Sequence, residues 1–167
     1  LLLLITNKEY NEFIFNYIIQ HFIDIALDKH GVCFLQKCLL VLDDEQRKAF
    51  YNKTAFYIKN IMKDCYGNFL IHYIFSKCQK IKLIEISEII LKIEENIVDF
   101  CQYKYSSSVI EKCFEQGNEE ISEHIINNLL EYHSNCIINI LMNPFGFYVI
   151  KKSMKINNNK LKDKISI

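Results

Sequence analysis

Between Phe22 and Met154 the apolar positions recur in the same order four times. Aligned on Val32, Asn68, Ser107 and Phe147, the copies lie 36, 39 and 40 residues apart. A period in that range marks a chain built from stacked, similar units. Take the aligned place as zero, and let a helix advance about 100° per residue. Phe34/Leu35, Leu70/Ile71, Val109/Ile110 and Val149/Ile150 then sit two and three places after zero, and Leu39, Phe75, Phe114 and Met154 seven after. With Cys38, Ile74, Cys113 and Ser153 six after, and His30, Tyr66, Tyr105 and Phe145 two before, they make one apolar arc, the predicted buried side.

The residues that vary from copy to copy occupy zero, plus one and plus four. They are Val32, Cys33 and Gln36; Asn68, Phe69 and His72; Ser107, Ser108 and Glu111; Phe147, Tyr148 and Lys151. These places fall between about 0° and 100° on every helix, and the pattern predicts that all three are exposed on one shared face. Stacked side by side, such helices present a row of changing side chains over a constant core, suited to reading a linear polymer one unit at a time.

Ahead of each of these helices a short amphipathic segment is predicted, apolar at i, i+3 and i+4: Phe22/Ile25/Ala26, Ile58/Ile61/Met62, Ile97/Phe100/Cys101 and Ile137/Ile140/Leu141. Turn-prone Asp28, Asp64 and Asn143 follow, then Gly31, Gly67, Ser106 and Gly146, with Pro144 suited to a first helical position. Behind each variable helix lies a third helical pattern, clearest at Ile84 to Ile93 and Ile121 to Leu130. Each unit is therefore three helices.

The four strings His-Gly-Val-Cys-Phe-Leu-Gln-Lys-Cys, Tyr-Gly-Asn-Phe-Leu-Ile-His, Tyr-Ser-Ser-Ser-Val-Ile-Glu-Lys-Cys-Phe and Phe-Gly-Phe-Tyr-Val-Ile-Lys-Lys resemble, in order, the fifth to eighth repeats of the Pumilio (PUF) family of RNA-binding proteins. The resemblance implies an all-α fold, an α-solenoid of three-helix Pumilio-type repeats forming a fragment of a longer repeat domain. Its expected divisions are the end of an earlier, truncated repeat over 1–20, repeats over 21–55, 56–94 and 95–131, and a last, truncated repeat over 132–167. Leu1 to Ile5 lacks the basic flank and cleavage site of a signal peptide and reads as interior sequence. Glu9 to Gln20 is expected to form the earlier repeat's last helix, with Phe15, Ile18 and Ile19 against its neighbour.

The resemblance implies single-stranded RNA as the partner. The side chains at zero and plus four, Val32/Gln36, Asn68/His72, Ser107/Glu111 and Phe147/Lys151, would meet the edges of single bases; Cys33, Phe69, Ser108 and Tyr148 would stack between bases. Ser107 with Glu111 is similar to the family's guanine pair, since a carboxylate accepts two hydrogens from guanine's Watson–Crick edge. Asn68 with His72 resembles the uracil pair with histidine in place of glutamine, and Val32 with Gln36 resembles the adenine pair with a bulkier, non-donating residue. Phe147 with Lys151 departs from the family's uracil pair. Because the family binds RNA antiparallel to the protein, the core implied is 5′-GUA-3′, preceded by analogy by uracil. Lys37, Lys112 and Lys152 are assigned to phosphates, and Lys151 is a further candidate.

Composition then sets bounds. The 167 residues are 50% hydrophobic, ample for a core, and with one proline, four glycines and no period-two alternation the chain reads as helical. Net charge is zero, yet the acids Asp43/Asp44/Glu45, Glu94/Glu95 and Glu119/Glu120 fall in or beside the third helices, while Lys29, Lys37, Lys104, Lys112, Lys151 and Lys152 flank or share the variable helices. Seven cysteines without a Cys-x-x-Cys pair read as structural thiols of a reducing compartment rather than zinc ligands. No run suits a membrane span, no catalytic constellation or glycine-rich phosphate loop is present, and neither cofactor nor small-molecule substrate is implied.

The resemblance further implies cytoplasmic regulation of mRNA through 3′ untranslated regions, by translation repression or decay, with repressor or deadenylation proteins on the convex face. Two other readings are a divergent, nucleolar PUF-like binder in ribosome biogenesis with weak sequence preference, and a HEAT-like scaffold whose inner face binds protein.

Overall fold

The computed structural model describes residues 8–77, 83–116, 119–132 and 134–156, and among them every regular element is a helix. In chain order these are α1 (Lys8–Gln20), α2 (Phe22–Ala26), α3 (Lys29–Cys38), α4 (Asp44–Phe56), α5 (Ile58–Lys63), α6 (Asn68–Ser76), α7 (Leu83–Glu94), α8 (Ile97–Phe100), α9 (Lys104–Gln116), α10 (Glu119–Glu131), α11 (Ser134–Met142) and α12 (Pro144–Ile156). Helices α2–α3–α4, α5–α6–α7 and α8–α9–α10 form three three-helix units, α1 precedes them, and α11–α12 begin a fourth.

The second and third helices of each unit pack on their counterparts in the next. The inner row runs α3, α6, α9, α12, and the outer row runs α1, α4, α7, α10. Packing of this kind reaches only neighbouring units, so the fold is an α-solenoid. Between the rows, Leu35, Phe50, Ile61, Leu70, Ile86, Phe100, Val109, Ile125, Ile140 and Val149 are fully buried, and the predicted places two, three and six after zero belong to the core throughout. Phe15 and Ile18 of α1 are buried and Ile19 packs against the same core.

Local chemistry sets where the inner helices start. Asp28 Oδ1 accepts the N–H groups of His30 and Gly31 at 2.9 and 2.7 Å, and Asp64 Oδ1 those of Tyr66 and Gly67, both at 2.7 Å. Asn143 Oδ1 accepts those of Phe145 and Gly146 at 2.9 and 3.1 Å, with Pro144 at the first helical position. Such caps satisfy amide hydrogens that have no partner within the helix. The outer helix α4 opens with a capping box, Asp43 Oδ1 taking the Gln46 N–H while the Gln46 side chain accepts the Asp43 N–H. That box employs part of the first acidic cluster in starting a helix.

Candidate functional site

The inner row departs from the expected arc by one place. Val32, Asn68 and Ser107, predicted to be exposed, are only 2%, 4% and 2% accessible, and only Phe147, at 45%, lies open. Conversely, His30, Tyr66 and Phe145 are exposed and Tyr105 is half-buried, although the helical projection puts the place two before zero in the core. The reason is lateral packing. An inner helix touches an inner helix on each side as well as the layer behind, so place zero, at 0°, adjoins the buried place seven, at about 340°, and turns toward the next helix. Place minus two, at about 160°, turns outward. Among the described residues no helix lies beyond α12, and Phe147 has no such neighbour.

Place plus one is exposed in every copy, at Cys33, Phe69, Ser108 and Tyr148, and forms a continuous outward row. Beside it lies place plus four, where Gln36, His72 and Glu111 are half-buried and Lys151 is exposed. Between α3 and α6 the two rows border an open cleft of about 590 Å³ lined by Lys29, Cys33, Gln36, Tyr66, Phe69 and His72. A flat aromatic ring can lie there against Phe69.

Hydrogen bonds engage several of these side chains. Asn68 Nδ2 donates to the Asp64 carbonyl at 2.8 Å and the Ser107 hydroxyl to the Lys104 carbonyl at 3.2 Å, which leaves the Asn68 amide oxygen and the Ser107 lone pairs as acceptors. Gln36 Nε2 crosses to the Phe69 carbonyl of the next unit at 3.0 Å. His72 has its pKa lowered, first by burial and then by the charge of Lys112, so it is a neutral donor–acceptor at neutral pH.

The lysines divide into two sets. Lys37 and Lys151 are exposed and form no ion pair among the described residues. Lys112 Nζ is instead held 2.9 Å from Glu115 Oε2, while Lys152 Nζ lies 3.5 Å from Glu111 Oε2 and in direct contact with Glu115 Oε1. Lys112 and Lys152 thus lie in a charge-balanced cluster of two ammoniums and two carboxylates, which interrupts the expected basic strip.

Two features had no sequence signal. Lys63 of α5 pairs with Asp99 at 2.6 Å and lies 3.9 Å from the centre of the Tyr103 ring, where the other units carry their capping Asp or Asn. Asn143 Nδ2 donates to the Gln102 carbonyl at 3.2 Å, binding the fourth unit to the third. Both depend on which helices meet.

The sequence pattern of the Pumilio-family RNA binding repeat matches residues 21–53, 57–89 and 96–130. The chain belongs to the Pumilio (PUF) family. It is 31% identical over 144 residues to Pumilio homolog 12 of Arabidopsis thaliana, covering 86% of this chain and 23% of that protein. To Pumilio homology domain family member 4 of Saccharomyces cerevisiae it is 30% identical over 149 residues, covering 88% of this chain and 17% of that protein. Among solved structures it is similar to PUF-8 in complex with PBE-RNA, with a TM-score of 0.79 at 21% identity over 95% of this chain and 48% of that one. It is also similar to the Puf4 RNA binding domain bound to the HO endonuclease RNA 3′ UTR recognition sequence, with a TM-score of 0.75 at 22% identity over 93% of this chain and 46% of that one. The chain thus spans about a quarter or less of these curated relatives and about half of the solved PUF chains. At these identities the structural likenesses establish the fold, the all-α solenoid described above.

Proposed function

We propose that the inner row of this PUF chain binds single-stranded RNA with sequence preference, and that it serves post-transcriptional regulation of mRNA through 3′ untranslated regions. The observation that carries the reading is α9. There the half-buried Glu111 stands one turn on from the buried Ser107 and beside the exposed Ser108, and its carboxylate lies at the edge of the outward row. A carboxylate at that place accepts both hydrogens of guanine's edge, from N1 and N2, whereas adenine offers N1 as an acceptor and repels it. With Asn68/His72 for uracil and Val32/Gln36 for adenine, the preferred core is 5′-GUA-3′. Phe69 and Tyr148 supply stacking, worth roughly 1 to 3 kcal/mol per base. Lys37 and Lys151 meet phosphates, and protein partners such as repressor or deadenylation factors are left the outer row.

The test is binding to a short RNA containing UGUA and to the same RNA with guanine replaced by adenine, at about 150 mM salt. A preference of about tenfold, or roughly 1.4 kcal/mol, supports base reading. One observation favours a second reading, a PUF-type binder of weak preference in ribosome biogenesis: Val32 and Phe147 bring no polar side-chain atom to their base-edge places. That reading expects equal binding to the two RNAs. No RNA binding at all would favour an inner face that holds protein.

A further inference from the structure

We infer that Lys152 is a positioning residue for base choice: from α12 it holds the carboxylate of Glu111 on α9 in the pose that accepts guanine and rejects adenine. The inference rests on the RNA-reading proposal above. Its ground is the cluster itself. Lys152 Nζ stands 3.5 Å from Glu111 Oε2 and touches Glu115 Oε1, while Lys112 Nζ holds Glu115 Oε2 at 2.9 Å. The side chains of Lys152 and Glu111 are 27% and 26% accessible, so this cation is half-enclosed. Glu111 and Glu115 are one helical turn apart, and a single ammonium from the neighbouring unit bridges them.

A glutamate with no partner can turn about three side-chain torsions. When adenine brings a lone pair toward such a carboxylate, the side chain swings aside and the base still stacks. Tied through Oε2 to a cation of the next helix, Glu111 is restrained in that retreat, so the repulsion against adenine is felt in full. The same cation offsets the cost of covering a carboxylate with a base. Lys152 therefore acts on the wrong base more than on the right one. A lysine already engaged by two carboxylates has little left for a phosphate.

The experiment compares wild type, Lys152→Gln and Lys152→Arg on the UGUA and UAUA RNAs, with affinity measured across a salt series and thermal unfolding as a check on folding. The expected result for Lys152→Gln is a guanine-to-adenine ratio reduced at least threefold, mainly by tighter adenine binding, with an unchanged salt slope. Lys152→Arg restores the ratio. Glu115→Gln, which leaves Lys152 to Glu111 alone, retains it. A uniform loss on both RNAs, with the salt slope reduced by about one, identifies a phosphate contact and overturns the inference. So does a Lys152→Gln variant that discriminates as well as wild type. A wild-type chain that does not discriminate refutes the RNA-reading proposal instead.

Discussion

Ser106 donates its hydroxyl hydrogen to the carbonyl of Phe100 at 2.7 Å, at the place where the other units set a glycine against the equivalent carbonyl. A Cβ on Gly67 would come within 2.7 Å of the Ile61 oxygen, and on Gly31 or Gly146 it would collide with the oxygen of Ile25 or Ile140. At the three glycines the backbones approach too closely for a Cβ, whereas at the fourth place the serine, which has one, bridges the same two segments with a hydrogen bond.

Ser106→Ala keeps the bulk and loses the bond within a fully buried place. It is expected to destabilise the chain by roughly 1 to 3 kcal/mol. Gly146→Ala forces backbone atoms apart and is expected to cost more. Denaturant unfolding of the two variants checks the order, and an alanine at 146 as stable as wild type would contradict it.

The Glu115 carboxyl is held at about 2 by hydrogen bonds from Lys152 and then Lys112, well under the ordinary glutamate value of 4.5. A carboxyl depressed in the folded state contributes stability that is fully present above the unfolded value and is lost as pH falls through the folded one. The expected window is therefore pH 4.5 down to about 2. Side-chain NMR titration locates the midpoint. Glu115→Gln should flatten unfolding-versus-pH curves across that interval, modestly, because the group is well exposed.

Burial raises the Cys38 thiol to about 11 and pushes the Cys101 thiol up as well. Only the thiolate is nucleophilic, so both are expected to resist alkylation in the folded chain. Cys33 and Cys65 are exposed and should be modified first. Mass spectrometry after brief iodoacetamide treatment reads the sites directly, with Cys38 and Cys101 reacting only after denaturant is added.

The repeat and its three helices were legible in the sequence because the core contacts are local: places two, three and six after zero face the layer behind them, whatever lies alongside. The rotation of the buried arc was not, because it depends on a second neighbour beside each helix, which a single-helix projection omits. Hence such a projection puts Tyr66 and Phe145 in the core and Val32 outside, and each lies on the other side. The exposure of place plus one was legible too, because the residues there change from copy to copy while the core does not. Lys152 against Glu111 could not be, because the partners are 41 residues apart and meet only through the apposition of α9 and α12. Asp28, Asp64 and Asn143 were recognised as turn residues, and their capping bonds are the physical content of that pattern.

On the RNA-reading proposal, His72 joins protonation to base choice. Burial first, and then the Lys112 charge, lowers its pKa from the ordinary 6.5, so the unfolded chain takes up a proton at a higher pH than the folded one. Stability associated with this group is therefore complete above pH 6.5 and declines as pH falls below it. The bound RNA should amplify the effect, since the neutral ring both donates and accepts at uracil's edge whereas the imidazolium only donates. The charged group that acts on the ring is Lys112 from α9, a cation that opposes its protonation. His72→Gln restores the family's uracil pair with a side chain that does not titrate. It is expected to bind UGUA RNA at least as tightly as wild type at pH 7.5 and to lose less affinity on acidification to pH 5.5. Parallel pH series of the two proteins on one RNA decide the matter, and equal losses would show that His72 stands away from the base.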